Sequence, residues 1–492
     1  MISMIMLFIL CNSVIKAQET QEEKVPQAQA KNEQETGELK NFPAQISFYY
    51  PFGVFGRQSE NYSYNFSINM LYGKVGAVDG FEVSGIYGRV LGDVRGIQVA
   101  GWANRVDKGV NGIQVAGIGN IAGNGMKGIQ VSGLANVVGD EMDGIQVSGL
   151  VNVVGDGMNG IQVSSLVNVV GDGMKGIQVS GLSNVIGDEM DGIQVSGLVN
   201  VVGDGMKGVG VSGLASVVGD DLKGIQVSGF ASIAGEGMKG IQVSGFASVV
   251  DEDTKGIQVS GFASVAGEKM KGIQISGIAN AAENINGAQI AGIYNRTEEM
   301  SGLNIGGIYN RVNALNGLQI GLVSINDTIE NGISMSFVNI VKNGGYKEWE
   351  LSVSDYANVA ISFKMGKQNF YTIYTAGFAF IEDNLWMFGG GFGHRTPING
   401  KFDFQPELIS CNYFPTDFKN INHTFVTRLK LGFVYNLNEK FGLSLAPSLY
   451  VMNSQKCKNN ESEHYKITPF GSFFNKKHTA MGVGATIAIS MK

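Results

Sequence analysis

The residues that could do chemistry lie in columns. Asp140, Asp156, Asp172, Asp188, Asp204 and Asp220 recur every 16 residues, and Glu236 and Glu268 continue the series. Stacked carboxylates of this kind can bind calcium, as in nonapeptide β-helix repeats. Each unit offers about one such carboxylate, however, and several turns end in Lys175, Lys207 or Lys239. The Gly-Gly-x-Gly-x-Asp spacing is missing, so the series reads as a solvated turn. A second column, Met126, Met142, Met158, Met174, Met190, Met206, Met238 and Met270, offers thioethers to a soft metal. Packing of the turn against its own unit explains it more simply. His394, His423, His464 and His478 form no closely spaced metal pair and stand beside no nucleophile motif. Asn422-His423-Thr424 fits the three-residue glycosylation pattern, which arises often by chance. No catalytic, cofactor or metal residue is assigned, and no cofactor is expected.

These columns exist because a block repeats. From Gly128 it reads Gly-Ile-Gln-Val-Ser-Gly-Leu-Ala-Asn-Val-Val-Gly-Asp-Glu-Met-Asp, and Gly144 begins it again. Its first glycine falls at 80, 96, 112 and every 16 residues to Gly272, then at spacings of 15 through Gly287, Gly302, Gly317 and Gly332. So short a period means stacked units, each too small to bury a core alone. Two short strands and a turn would make one coil of a β-solenoid, stacked in parallel. Ile and Val ladders are expected to fill its interior, with Gln and Asn amides zipping the coils together. At ~4.8 Å between neighbouring strands, the 17 coils span about 80 Å. The change to 15 should alter the turn and spare the strands. The competing reading makes each unit one strand of a large membrane barrel. The scarcity of Tyr and Trp at positions 2 to 11 and the uniform turns count against it. Parallel pairing would establish the solenoid, antiparallel pairing the barrel.

The flanks have a different texture. Tyr62, Tyr64, Phe66, Ile68 and Met70 alternate with small polar residues, and Ile46, Phe48 and Tyr50 do so before them. After the repeats, Val359, Ile361, Phe363 and Met365 share one face. Phe425, Leu429, Leu431, Phe433 and Tyr435 oppose Arg428, Lys430 and Gly432, and Met481, Val483, Ala485, Ile487 and Ile489 oppose Gly482, Gly484 and Ser490. About eight such strands run from Glu350 to Met491. Apolar outside and polar or small inside, they match an outer-membrane-type antiparallel barrel, while a soluble sandwich would alternate too. The expected fold is therefore all-β: a solenoid of about 16 residues per coil flanked by antiparallel barrel strands. A barrel built from Ala44 to Tyr72 plus Glu350 to Met491 would anchor the solenoid inserted between its strands.

Met1 to Ala17 reads as a secretory signal peptide, with Ile5 to Leu10 as its apolar stretch but no basic residue before it. Cys11 lacks the preceding small residue that lipidation requires. Gln18 to Asn41 reads as a disordered tether. Residues 42–79 form N-terminal strands, 80–342 the tandem repeats and 343–492 the barrel-like region. A formal net charge of −7 argues against nucleic acid as a partner. In an oxidising compartment Cys411 and Cys457 either pair or stay as thiols, since two cysteines make no framework.

The unit Gly-Ile-Gln-Val-Ser-Gly-Leu-Ala-Asn-Val-Val, with its variants Gly-Ala-Gln-Ile-Ala-Gly-Ile-Tyr-Asn-Arg from Gly287 and Gly-Leu-Asn-Ile-Gly-Gly-Ile-Tyr-Asn-Arg from Gly302, resembles a family of surface-repeat proteins of Gram-negative bacteria. The segment Gln45 to Gly53 is similar to the opening of such proteins. The resemblance covers roughly Ala44 to Val341, carries no catalytic motif and implies an outer-membrane or cell-surface location. The expected function is non-enzymatic: a structural, adhesive or display role, with outer-membrane lipid and an unidentified extracellular ligand as partners. The alternative is a transport or pore-forming barrel with the repeats as barrel strands. A carbohydrate-cleaving β-helix enzyme would need a unique cleft with convergent carboxylates, which near-identical coils do not easily build.

Overall fold

The computed structural model describes residues 39–380, 384–416, 424–454, 471–476 and 479–492. The signal peptide, all but the last residues of the tether, Cys457, His423, His464 and His478 lie outside them. Lys40 and Asn41, read as tether, already belong to a strand.

The repeats pair in parallel and in register. Met126, Met142 and Met158 stack, as do Gly128, Gly144 and Gly160, and Gln130, Gln146 and Gln162. Each coil has one seven-residue strand such as Met126–Ser132, a tip at Gly133-Leu134, a four-residue strand such as Ala135–Val138, and a turn at Gly139 to Glu141. This is the solenoid, so the repeats are not barrel strands. The first glycine of each coil bends the longer strand. Gly144 sits at φ 144°, and a Cβ there would overlap the Gly128 carbonyl oxygen, so the position admits only glycine. The shorter spacing is absorbed as expected. Between Ala266 and Lys269 the register slips, and Gly272, Gly287 and Gly302 still align.

The interior differs from the expectation of Ile and Val ladders. Numbered from the first glycine, positions 3, 5, 9, 11 and 15 point inward, here Gln130, Ser132, Asn136, Val138 and Met142, all buried. Ile129, Val131, Leu134 and Val137 face outward. The reason is the alternation itself: once Gly128 turns the chain, the odd positions of that strand face the axis and the even ones cannot. Buried amides are costly unless bonded, and stacking supplies the bonds. Gln130 Nε2 donates to Gln114 Oε1 at 2.8 Å, and Gln146 Nε2 to Gln130 Oε1 at 2.9 Å. Asn136 Nδ2 donates the opposite way, to Asn152 Oδ1 at 3.1 Å, and also to the Val147 carbonyl at 2.7 Å. The two amide columns thus run in opposed directions. The apolar core of the solenoid is a separate column of positions 11 and 15, including Val138, Met142, Val154 and Met158, lying under the charged turn.

The N-terminal strands also depart from the expectation. Lys40–Tyr49 pairs in parallel with Tyr62–Val75, and the latter with Ala77–Ser84 and Tyr87–Val90. They are the first layers of the solenoid and contribute nothing to the barrel.

The barrel is built from eight antiparallel strands: β1 Tyr346–Ser354, β2 Val359–Lys367, β3 Phe370–Ala379, β4 Leu385–Gly393, β5 Phe402–Pro415, β6 Thr424–Asn436, β7 Phe441–Ser454 and β8 Thr479–Met491. Each pairs with the next, and β8 returns to β1, with Trp349 opposite Met491. Closure removes the sheet edges. The alternation read from the sequence holds: Ile361, Leu429, Phe433, Val483, Ile487 and Ile489 are exposed on the outer wall, while Arg428, Lys430 and Ser490 are buried inside.

Candidate functional site

Three places in the molecule concentrate chemistry: the barrel lumen, the charged edge of the solenoid and its apolar edge.

Period-2 alternation sends Glu348 and Glu350 of β1, Lys364 of β2, Tyr371 of β3, Glu407 of β5 and Lys430 of β6 into the lumen. Lys364 Nζ lies 2.6 Å from Glu350, 2.6 Å from Glu407 and 3.2 Å from Glu348. Lys430 Nζ lies 2.5 Å from Glu350 and 3.1 Å from Glu407. Tyr371 donates its hydroxyl to Glu407 at 2.9 Å. Beside this lattice, Arg395 pairs with Asp403 at 2.7 Å, donates to the Tyr346 hydroxyl at 3.0 Å and pairs with Glu348. All three glutamates and both lysines are buried. Carboxylate and ammonium interlock across strands far apart in sequence, which pins the barrel and fills its cross-section at this level. Each charge is desolvated but matched, and the loss of one partner would leave the others exposed to the low dielectric. Deeper along the lumen the Arg428 guanidinium lies 2.9 Å from the centre of the Tyr356 ring and 3.6 Å from the Cys411 sulfur.

The charged edge carries the carboxylate column. Asp140, Asp156, Asp172, Asp188 and Asp204 are exposed or nearly so, and their backbones run a ladder, Asp156 N–H to the Asp140 carbonyl at 3.3 Å and Asp172 to Asp156 at 3.2 Å. Lysines interleave: Lys207 reaches Asp191 at 3.4 Å and Lys223 reaches Asp221 at 3.0 Å. The neighbouring ammonium of Lys223 holds the Asp221 carboxyl below its ordinary value. Glu236 is pushed the other way, by the negative charge of Asp220. Among the described residues no three His, Cys, Asp or Glu side chains converge as a metal cluster. The methionine column is buried beneath this edge as core. His394 caps a barrel turn, with Nδ1 2.7 Å from the Asn369 carbonyl and Nε2 against the Thr396 hydroxyl.

The apolar edge surrounds the coil tip. Position 7 is a large apolar residue from Ile86, Trp102 and Ile118 through Phe262 and Ile278 to Ile308, and in the last two coils position 6, Leu322 and Phe337, takes its place at the tip. Trp102 is 60% exposed and Phe230 51%. Phe230, Phe246 and Phe262 stack face to face with centroids 4.8 and 4.6 Å apart. From the coil at Gly112 to the one at Gly272, positions 2 to 11 hold no charged residue.

One buried charge interrupts the amide columns. Glu82 occupies position 3 of the first coil, where later coils have Gln. It accepts from Gln98 Nε2 at 2.8 Å and Asn69 Nδ2 at 3.1 Å. Burial raises its pKa to about 7, against the lowering effect of those two bonds. The Gln column therefore ends on a group that only accepts when ionised. Sequence reasoning passed over Glu82, and also over Glu348, Arg395 and Glu407, and set Lys364 on the inner face of its strand without a partner. The signal for the lumen was present in Glu348-Trp349-Glu350-Leu351, where acid and apolar residues alternate. The signal for Glu82 was its departure from the repeat consensus. The chain matches no known family, no curated protein and no solved structure.

Proposed function

We propose that this chain is a non-enzymatic outer-membrane protein of a Gram-negative bacterium, in which the barrel is a lipid-embedded anchor and the solenoid a rigid structural or interaction element. The observation that carries this reading is the polarity of the barrel: Leu351, Ile361, Phe388, Leu445 and Ile487 are exposed outside while Glu350, Lys364, Glu407 and Lys430 are buried inside. A water-soluble barrel would be stabilised by the reverse, whereas a lipid-facing one requires this arrangement. No helix of the described residues is long and apolar enough to cross a membrane, which says nothing against a crossing by the strands of the barrel. The solenoid supports a mechanical or binding role because it presents nearly the same surface at each of its coils, which suits repeated weak contacts and poorly suits a unique catalytic cleft. The resemblance to bacterial surface-repeat proteins points the same way, and outer-membrane lipid is the first partner this reading names.

The test is fractionation with gel migration. The chain should sediment with outer membranes, need detergent for extraction, and migrate differently before and after boiling. A chain that stays in solution without detergent and migrates identically in both states overturns the proposal.

A further inference from the structure

The apolar edge of the solenoid is a long exposed strip, and such strips are rare on proteins surrounded by water on all sides. Its position relative to the barrel indicates what covers it. The last coil, with strand Ile333–Val341, sits against the outer wall of β3. Thr372 of β3 donates to the Ser336 carbonyl at 2.7 Å. Phe337, at the tip of this coil, meets the outward ring of Tyr374 edge-on, centroids 5.1 Å apart. At the charged edge, in the turn that leads into this coil, Lys367 donates to the carbonyls of Ile329 and Glu330. Lys367 pairs with Phe370 at the β2–β3 turn, which is the rim of the barrel. The charged edge of the solenoid is therefore level with the rim, and the apolar tip is level with Tyr374, four residues up the wall. Four strand residues span about 13 Å, close to half of the apolar band of an outer-membrane barrel.

This places the long direction of each coil along the barrel wall. The stacking axis, perpendicular to the coil, then runs away from the wall. We infer that the apolar edge is a lipid-docking surface: it lies in the hydrocarbon of one leaflet, continuous with the apolar belt of the barrel, and the solenoid runs along the membrane instead of projecting from it. The rim concerned is the one holding the two-residue β2–β3 turn and both ends of the barrel chain, while β7 ends and β8 begins at the other, where the sequence interval between consecutive barrel strands is widest. In outer-membrane barrels the short turns face the periplasm, so the leaflet is the periplasmic one. The side chains agree with this placement. Position 10, the last outward residue of the shorter strand before the charged edge, is Val or Ile in the middle of the rod and Arg89, Arg105, Arg296 and Arg311 near its ends. Long cationic side chains there can bring their heads to the interface while their stems cover apolar surface.

The inference rests on the reading of the barrel as a membrane anchor, and the three tryptophans separate the two. Trp349 and Trp386 are exposed on the barrel wall; Trp102 is at a coil tip, 15 coils and about 70 Å before the last one. The full chain carrying W349F and W386F, reconstituted in phosphatidylethanolamine–phosphatidylglycerol vesicles with brominated acyl chains, reports on Trp102 alone. The complementary W102F chain reports on the barrel. Loss of emission from Trp102 comparable to that of the barrel tryptophans is expected. Quenching of the barrel but not of Trp102, with Trp102 emitting as in water, overturns the inference and leaves the anchor intact. A blue-shifted Trp102 that bromolipid does not quench also overturns it, because protein would then cover the edge. No quenching in either chain overturns the anchor itself.

Discussion

The solenoid and the barrel solve one problem in two ways. Both bury rows of polar side chains beside an apolar cluster and leave other apolar side chains exposed on the outside. The barrel closes its hydrogen bonding around a ring of antiparallel strands and neutralises its lumen with a few strong ion pairs such as Lys364 with Glu350 and Glu407. The solenoid closes each coil by stacking on the next and neutralises its interior with many weak amide bonds, a coil such as the one at Gly128 donating once from its Gln and once from its Asn. Strength is concentrated in the barrel and distributed in the solenoid. A single substitution should therefore disable the barrel at its charge centre but damage the rod only where the backbone itself is at stake.

The largest effect tests the backbone exception. Gly144→Val puts a branched side chain at φ 144° and into the Gly128 carbonyl, and should cost more than about 5 kcal/mol locally. Limited proteolysis should then cut the coils around Gly144. Gly390→Ala in the barrel wall, where a Cβ would meet only the Ile373 carbonyl at 3.2 Å, should leave the heat-modifiable band in place. Equal tolerance at both positions would remove the contrast.

Next comes the charge centre. Lys364→Met deprives Glu348, Glu350 and Glu407 of a shared cation and should cost about 3–5 kcal/mol. The expected readout is loss of the compact unboiled band, with the solenoid still protease-resistant. If the rod falls with the barrel, the two regions are not independent in stability.

The third is a pH effect in the rod. Glu82 has a folded pKa of about 7, raised from its ordinary value of 4.5. A raised carboxyl favours folding most when protonated, so its contribution is complete below the unfolded pKa and is lost as pH rises through 7. The loss is at most about 3 kcal/mol. Protease resistance of the first coils should be higher at about pH 5 than at about pH 8, and Glu82→Gln should flatten that difference. A parent and variant with the same pH profile would place the titration elsewhere.

The smallest effect is a repair. Gly210 stands where neighbouring coils have Gln, and the Gln194 Oε1 acceptor is left unpaired. Gly210→Gln should bridge Gln194 and Gln226 and add about 1 kcal/mol, provided that Met206 turns aside from its place 3.1 Å from the new Cβ. A raised urea midpoint for proteolysis of this coil is expected; a lowered one would mean that the Met206 packing matters more than the bond.

Much of the fold was legible in the chain. The 16-residue period implied stacked coils, and identical residues stacked in register can pair only in parallel. The alternation from Val359 to Met491 implied a barrel with Arg428 and Lys430 inside. The lumen partners were less legible, since Lys364 meets Glu407 across strands that nothing local connects. The assignment of the N-terminal strands failed for a related reason: Tyr62 to Met70 alternates like a barrel strand, and an alternating pattern does not say whether its neighbour runs parallel or antiparallel.

The sequence alone determined the repeat, the strands and the glycine that must begin each coil. Only the tertiary structure decided which alternate residues face inward, because a one-residue shift exchanges the two faces and the unit has apolar residues on both. The turn at the first glycine sends Gln130 and Asn136 inside and Ile129 and Leu134 out. The tertiary structure alone also set the solenoid against the barrel wall, where the Thr372, Tyr374 and Lys367 contacts align the apolar edge with the apolar belt. Those contacts join residues more than 30 positions apart, and no local pattern encodes them.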